Sequence, residues 1–381
     1  MLHAASRYHK YQSMNLRQDV GQLLFVGLAG TELSATERAW LRLIRPSGTV
    51  LFRRNIEEPA HVHALLDSVA NVVGDGPLFH AVDVEGGLVD RLRDLIAPMP
   101  APAAVAATKN KKLFRQHGYL IGAELRLLGF NVAFAPVLDL RTAVSSDVMR
   151  TRVACDTPKG VIAYAEAFLT GLSKSGTLGC GKHFPGLGGG ALDSHHATPD
   201  IDRSWKQLWE EDLLPFRKLH RALPFIMVSH ATYPQAFSKP DTKPLPASIS
   251  PFWIDRTLKH KLAFRGLVIS DDMEMGGILH HAPMEEAAVA AIAAGAHLIE
   301  ICKDPALVLT AYEAILSEAE RSRSFRSIVE ASAATVRSHR HKLLRRAGTV
   351  PPPTADDVAA MRKSVLAFAD EVATKTQQAI A

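Results

Sequence analysis

Eight short apolar runs alternate with longer segments of helical periodicity along the chain, and this alternation limits the possible folds more than any other feature. The apolar runs cover residues 23–28, 48–52, 79–83, 132–138, 179–183, 225–229, 266–270 and 297–301. Segments with helical periodicity lie between them, at 60–73, 113–128, 160–172, 204–219 and 284–294. This arrangement is typical of parallel strands joined by helices. Because eight strands close a barrel, the pattern predicts an α/β fold, a single (β/α)8 TIM-like barrel.

The domain organisation follows from the chain length and one proline-rich stretch. The 381 residues leave room for one large barrel with additions. The run Val-Pro-Pro-Pro-Thr at 350–354 ends the barrel pattern, and a helix is predicted after it. We therefore predict a disordered extension at 1–13, the barrel domain at 14–348, and a proline-rich stop with a C-terminal helix packed on the barrel at 349–381.

Cysteine content and hydropathy indicate the compartment. The three cysteines, Cys155, Cys180 and Cys302, are odd in number and lack the spacing of a metal site, which favours a reducing compartment. No apolar run reaches the ~18 residues of a membrane helix. We therefore expect a cytoplasmic protein without a membrane partner.

The chain is basic, with a formal net charge of +5, and most of its lysines and arginines are dispersed. One basic cluster lies at 337–346 and includes Arg337, His339 and Arg340. We interpret this cluster as a solvated helix face rather than as a site for an anionic partner, and we predict no nucleic-acid partner.

Four of the predicted strands end in charged side chains. In a barrel of this kind the reactive groups lie at the C-terminal ends of the strands. A single strand-end Asp is most often a helix cap or a loop acceptor, but four charged ends in one barrel indicate a carbohydrate or phosphate site. The charged ends are Asp83, Asp139, Lys182 with His183, and Asp271 with Asp272.

A glycine-rich loop follows the run at 179–183. Lys-His-Phe-Pro-Gly at 182–186 leads into Gly188, Gly189 and Gly190, and then into Asp193-Ser194-His195. The i, i+2 spacing places the carboxylate and the imidazole on the same side of an extended loop. This segment therefore predicts a mobile arm that carries an acid/base pair.

These segments, each in its own place and in this order, resemble glycoside hydrolase family 3, in particular its bacterial β-N-acetylglucosaminidase branch. The resemblance rests on Lys-His-Phe-Pro-Gly before Asp-x-His, on Asp-x-Glu-Gly-Gly-x-Val-x-Arg at 83–91, and on Ser-Asp at 270–271. It runs from about residue 14 to about residue 305. Larger members add a second α/β sandwich domain, and this chain has no room for one.

The resemblance implies a role for each catalytic residue. Glycosidic cleavage needs a carboxylate on one face of the sugar and a proton donor on the other. The family pattern makes Asp271 the nucleophile, with Asp272 in a supporting role. It makes His195 the acid/base, oriented by Asp193, with His196 as a bystander. An imidazole titrates near ~6.5, and a neighbouring carboxylate favours its protonated form.

The resemblance also implies a set of sugar-binding residues. A carboxylate suits vicinal hydroxyls because it accepts two hydrogen bonds. The matching positions are Asp83, Arg91, Arg152, Lys182 and His183. Arg150 is the rival of Arg152, and Glu85 is expected to shape the turn rather than to contact substrate.

Two positions depart from the family pattern. Leu187 stands where the family usually has the His of Phe-Pro-Gly-His-Gly, and Glu274 stands where a small residue is common. Neither change removes a catalytic group. We expect both to affect substrate range and the movement of the loop.

The function implied by the resemblance is a retaining exo-β-N-acetylglucosaminidase that acts on cell-wall muropeptides, with no metal or organic cofactor and no oligomer required. The predicted partners are small carbohydrate substrates. Three alternatives stay open at this point: a phosphorylase that uses the same residues, a β-glucosidase of the same family, and a sugar-binding barrel without activity.

Overall fold

Eight parallel strands close a barrel in the computed structural model, which describes residues 15–145, 149–190, 198–236, 244–345 and 350–380. The first strand pairs with both the second and the last, which closes the sheet. Each predicted apolar run overlaps one barrel strand, so the predicted fold is confirmed. In chain order the strands are β1 Leu24–Gly27, β2 Gly48–Leu51, β3 Phe79–Val82, β4 Val84–Gly86, β5 Val89–Asp90, β6 Val132–Ala133, β7 Leu178–Phe184, β8 Phe225–Val228, β9 Leu267–Asp272 and β10 Leu298–Ile301. Strands β4 and β5 form a separate hairpin after β3.

Aromatic side chains fill the barrel interior. The rings of Phe79 and Phe225 meet edge to face with centroids 5.0 Å apart, and those of Phe25 and Phe134 lie 5.8 Å apart. All four side chains are buried. The interior is therefore a packed apolar core, and the charged residues predicted at the strand ends lie above it.

Helices connect the strands and cover the barrel. The α-helices are Leu16–Gly21, Ala35–Ile44, Pro59–Val73, Pro102–Ala107, Lys111–Leu127, Pro158–Lys174, Trp205–Gln207, Leu213–Leu219, Gly276–Leu279, Met284–Ala293, Pro305–Arg321, Arg323–Leu344 and Ala355–Ile380. Segments Leu208–Asp212 and Phe252–Lys261 are π-helical, and short 3-10 turns lie at Arg53–Asn55, Arg150–Arg152, Pro234–Ala236 and Ala247–Ile249. The predicted single helix at 204–219 is therefore divided. Pro215 lacks the N–H that an α-helix needs there, and the wider π turn lies just before it.

Helix Arg323–Leu344 packs against the end of the barrel opposite the charged strand ends. Arg337 forms an ion pair with the buried Asp19, and Arg340 Nη2 donates to the carbonyl oxygen of Asp75 at 3.2 Å. Both arginines are buried, with 7% and 6% of their surface exposed. The prediction of a solvated basic face was therefore wrong for Arg337 and Arg340, because the chain supplies their acceptors from segments far away in sequence.

The last helix, Ala355–Ile380, packs on the outer helices Pro102–Ala107 and Lys111–Leu127. Its residues Val365, Phe368 and Val372 are buried, and the Phe368 ring stacks on His117 with centroids 5.7 Å apart. No helix within the described part of the chain is long and apolar enough to cross a membrane.

Candidate active site

One cavity at the C-terminal end of the barrel is lined by six of the eight residues predicted for the site. They are Asp83, Arg91, Arg152, Lys182, His183 and Asp271. Strands β3, β7 and β9 bring four of these residues together, Asp83, Lys182, His183 and Asp271, because parallel strands end at the same rim. The other two, Asp193 and His195, lie outside the described residues.

A network of buried charges forms one wall of the cavity. Lys182 Nζ lies 2.7 Å from Asp83 Oδ1 and 2.6 Å from Glu85 Oε1. Arg152 binds Glu85 through two bonds of 2.8 Å, from Nε and from Nη2. Glu85 therefore holds two cations in place, which is more than the turn-shaping role expected for it.

The charges in this network stabilise one another. Burial alone would raise the pKa of Glu85, but Arg152 and Lys182 lower it well below its ordinary value. Burial alone would lower the pKa of Lys182, but Asp83 and Glu85 raise it. Glu85, Arg152 and Lys182 therefore stay charged near neutral pH, and the wall presents fixed donors and acceptors to a ligand.

Asp139 fixes the orientation of His183. Its Oδ2 lies 2.7 Å from His183 Nδ1 and also accepts from the His183 backbone N at 3.2 Å. Because Nδ1 is paired with Asp139, Nε2 is the ring nitrogen of His183 that remains for other contacts. His183 Nε2 lies 3.5 Å from Arg152 Nη2.

The same carboxylate anchors the start of the glycine-rich loop at the unusual Leu187. Asp139 Oδ1 accepts from the Leu187 backbone N at 2.8 Å. Any residue except proline can make this bond, so the anchor does not depend on the family's His. The Leu187 side chain lines the cavity, which makes this part of the wall apolar.

The two arginines that the sequence offers for one position in the site, Arg150 and Arg152, differ in their location relative to the cavity. Arg152 lines the cavity, whereas Arg150 is exposed and does not. Arg91 also lines it, with its guanidinium 5.7 Å from the centre of the Phe52 ring. The Arg91 Nε is buried and has no hydrogen-bond partner among the described residues.

Asp271 lies at the end of β9 and faces the cavity. Its Oδ1 accepts a hydrogen bond of 3.0 Å from the Asp272 backbone N. Burial would raise the pKa of Asp271, but the neighbouring His183 and His230 side chains, that hydrogen bond and Lys182 lower it below the ordinary value. The carboxylate is thus ionised near neutral pH, which is the state that a nucleophile requires.

The pKa values of two neighbouring carboxyl groups, Asp272 and Glu300, are raised instead of lowered. Burial, followed by the charges of Glu274 and Asp271, raises the pKa of Asp272 to about 7 although the Glu274 backbone N donates to it. Burial and the charges of Asp272 and Asp83 raise the pKa of Glu300 well above its usual value. Glu274 does not line the cavity, and its Oε1 accepts from the Asp304 backbone N at 2.6 Å.

The sequence analysis assigned no part in binding or catalysis to four residues that the structure brings to the site: Glu85, Asp139, His230 and Glu300. His230 is buried beside β9, with Nε2 2.9 Å from the Asp272 carbonyl oxygen and Nδ1 2.7 Å from Ser248 Oγ. Asp139 and His230 each follow an apolar run, which is a signal. Glu300 interrupts the apolar run at 297–301. A charged residue inside a buried strand is a stronger sequence signal of a functional role than a polar residue after one.

Residues 15–338 match the sequence model of the Glycosyl hydrolase family 3 N terminal domain. The chain belongs to glycosyl hydrolase family 3. The expected family is therefore confirmed, and the match includes every charged residue that lines the cavity of this family 3 barrel.

Curated relatives of this family 3 chain match over most of their length. A β-hexosaminidase of Idiomarina loihiensis is 35% identical over 301 residues, which are 78% of this chain and 88% of the relative. A β-hexosaminidase of Alkalilimnicola ehrlichii is 37% identical over 292 residues, 75% of this chain and 82% of the relative.

A solved family 3 structure has the same fold. The β-N-acetylglucosaminidase of a Paenibacillus species superposes with a TM-score of 0.85 at 29% identity, and the alignment covers 94% of this chain and 69% of the other.

Proposed function

We propose that this family 3 protein is a retaining exo-β-N-acetylglucosaminidase that removes terminal β-linked N-acetylglucosamine. The observation that carries the proposal is the placement of an ionised Asp271 in the same cavity as Asp83, Lys182 and His183, three groups suited to sugar hydroxyls. The relatives named β-hexosaminidase support the choice of an N-acetylated sugar.

In the first step of the proposed reaction, Asp271 attacks the anomeric carbon while protonated His195 donates its proton to the glycosidic oxygen. The bond between the anomeric carbon and that oxygen breaks, and a covalent glycosyl-enzyme forms. Because Oδ1 of Asp271 accepts from the Asp272 backbone N, Oδ2 is the attacking oxygen.

In the second step a water molecule attacks the anomeric carbon and displaces the Asp271 carboxylate. Neutral His195, oriented by Asp193, takes the proton of that water. The two displacements together retain the β configuration.

The binding roles proposed for the other residues follow from the hydrogen-bond donors and acceptors that each side chain can direct to a ligand. Asp83 accepts from sugar hydroxyls while Lys182 holds it in place. The Nε2 atom of His183 and the guanidinium groups of Arg91 and Arg152 provide the remaining polar contacts. We further propose cell-wall muropeptides in the cytoplasm as the natural substrate.

The test is the release of nitrophenol from the β-N-acetylglucosaminide and the β-glucoside, measured side by side for the wild type and Asp271→Asn. We expect selective hydrolysis of the N-acetylated substrate and a loss of at least about 10³-fold in kcat for the variant. Equal or better turnover of the glucoside would contradict the proposed specificity, and activity that survives in Asp271→Asn would contradict the nucleophile.

Added phosphate separates hydrolysis from phosphorolysis. We expect N-acetylglucosamine as the product with and without phosphate. Formation of the sugar 1-phosphate would identify a phosphorolytic enzyme instead.

A further inference from the structure

The active-site cavity contains a carboxyl group that the proposed reaction does not use. Glu300 on β10 points to the same side as Leu298 and Cys302, because side chains two residues apart along a strand share a face. Leu298 and Cys302 pack in the barrel interior. Glu300 is only 3% exposed, and it lines the same cavity as Asp271 and Asp83. Glu300 is therefore a buried acid in the wall of the cavity, at the C-terminal end of the barrel.

The hydrogen bonds of Glu300 are incomplete within the described residues. Its Oε1 lies 3.0 Å from Cys302 Sγ, which is a weak donor. Its Oε2 is buried and has no hydrogen-bond partner in the described part of the chain. Because buried polar atoms are nearly always hydrogen-bonded, an unpaired oxygen at a cavity wall indicates a ligand group that completes the bond.

The surroundings of Glu300 determine what kind of ligand group fits. Asp83 and Glu85 are each paired with a cation, whereas the charges that act on Glu300 come from Asp272, Asp83 and Asp271. Together with burial, these negative charges raise its pKa and favour the neutral carboxylic acid. A neutral carboxylic acid donates one hydrogen bond and accepts others, and a sugar hydroxyl can match both.

We propose that Glu300 is a specificity residue, which binds one hydroxyl group of the terminal sugar through its unpaired oxygen. This inference rests on the proposed function. Glu300 lies near both the sugar-binding Asp83 and the nucleophile Asp271, since the charges of both act on it. A sugar ring held by Asp83 and attacked by Asp271 therefore lies within reach of Glu300.

A second buried carboxyl group in this protein provides a matched control. Glu124, in helix Lys111–Leu127, is 1% exposed, and neither of its oxygens has a partner among the described residues. It does not line the active-site cavity. An incomplete set of hydrogen bonds alone is thus not a sign of a binding site, and what distinguishes Glu300 is its position in the cavity.

The test compares Glu300→Leu and Glu300→Gln on nitrophenyl β-N-acetylglucosaminide and on its 3-deoxy, 4-deoxy and 6-deoxy analogues. We expect Glu300→Leu to lower kcat/KM for the parent glycoside about 10- to 100-fold. For the analogue that lacks the bound hydroxyl, the same variant should lower kcat/KM less than about threefold. Glu300→Gln keeps a donor and an acceptor, and we expect it to stay within about tenfold of the wild type on the parent.

The control variant Glu124→Gln should leave kcat/KM unchanged on all four glycosides. An equal loss for Glu300→Leu on the parent and on every analogue would overturn the proposal, because it would show a structural role. No loss on the parent would overturn it as well. If Glu300→Leu does not fold, as judged by its thermal denaturation, the proposal is tested by comparing kcat/KM of Glu300→Gln on the parent glycoside and on its three deoxy analogues. A wild type that hydrolyses none of the glycosides would overturn the proposed function itself.

Discussion

At the scale of single residues, the site depends on carboxyl groups that are chemically identical and electrostatically different. Glu85 and Asp271 are held as carboxylates by nearby cations and donors. Asp272 and Glu300 have raised pKa values because they are buried without such a cation. One cavity can therefore offer an ionised carboxylate, our proposed nucleophile, beside neutral hydrogen-bonding acids.

Asp272 gives a prediction for the dependence of stability on pH. Its pKa is about 7 in the folded protein and near 3.8 when exposed. Between these values the folded state binds more protons than the unfolded state, so the stability that this group contributes is lost as the pH rises through about 7. We expect Asp272→Asn to gain stability relative to the wild type between pH 5 and pH 8, on the order of 2 kcal/mol.

Urea denaturation of both proteins at pH 5 and pH 8 measures this difference. The pH dependence of wild-type stability includes contributions from all other titratable groups. Only the difference in free energy of unfolding between the two proteins is therefore compared. A relative stability of Asp272→Asn that is the same at both pH values would show that the Asp272 pKa is not raised.

The sequence predicts the charged residues of the site better than it predicts their partners. Asp83, Lys182 and Asp271 follow apolar runs, and strand geometry alone brings them to one rim. Glu85 and Asp139 gain their roles only from Lys182, Arg152 and His183, which lie far away in the chain. Such pairings need the closed barrel, and no local pattern contains them.

At the scale of elements, the strands follow the sequence closely except where a backbone donor is missing. The apolar run at 132–138 contains only the short strand β6, because Pro136 has no N–H for the ladder. Pairing continues past it at one isolated bridge, between Val137 and Lys182. The hairpin of β4 and β5 was not predicted, since strands of three and two residues leave no periodic pattern.

The basic helix Arg323–Leu344 shows a different limit of sequence analysis. Periodicity identifies a polar face but not whether acceptors cover it, and the partner of Arg337 is Asp19 at the opposite end of the chain. Arginine clusters on helices are usually solvated. Here the ion pair is buried, with side-chain exposures of 8% and 1%.

This buried pair leads to a prediction about stability. Arg337→Met leaves the Asp19 carboxylate buried without its partner, so we expect a loss of about 3–5 kcal/mol in the free energy of unfolding. The control Arg321→Met breaks the exposed pair with Glu318 and should cost less than about 1 kcal/mol. Denaturant unfolding measures both variants. If Arg337→Met costs no more than the control, the ion pair does not stabilise the fold.

At the scale of the whole molecule, the barrel separates its polar groups by position. Phe25, Phe79 and Phe225 fill the interior, the catalytic candidates lie at the C-terminal rim, and the buried arginines of helix Arg323–Leu344 lie at the opposite end. Substitutions at the end covered by helix Arg323–Leu344 should therefore alter stability and leave catalysis at the C-terminal rim unchanged. The variants Arg337→Met and Asp271→Asn test the two ends separately.

The most direct measurement is to trap the glycosyl-enzyme with 5-fluoro-β-N-acetylglucosaminyl fluoride and to locate the label by peptide mass spectrometry. The ring fluorine slows both displacements, while the good leaving group keeps the first one fast enough for the intermediate to accumulate. We expect one added sugar on Asp271 in the wild type and none in Asp271→Asn. A label on Asp272 or another residue, or turnover of the reagent without any covalent intermediate, would contradict it.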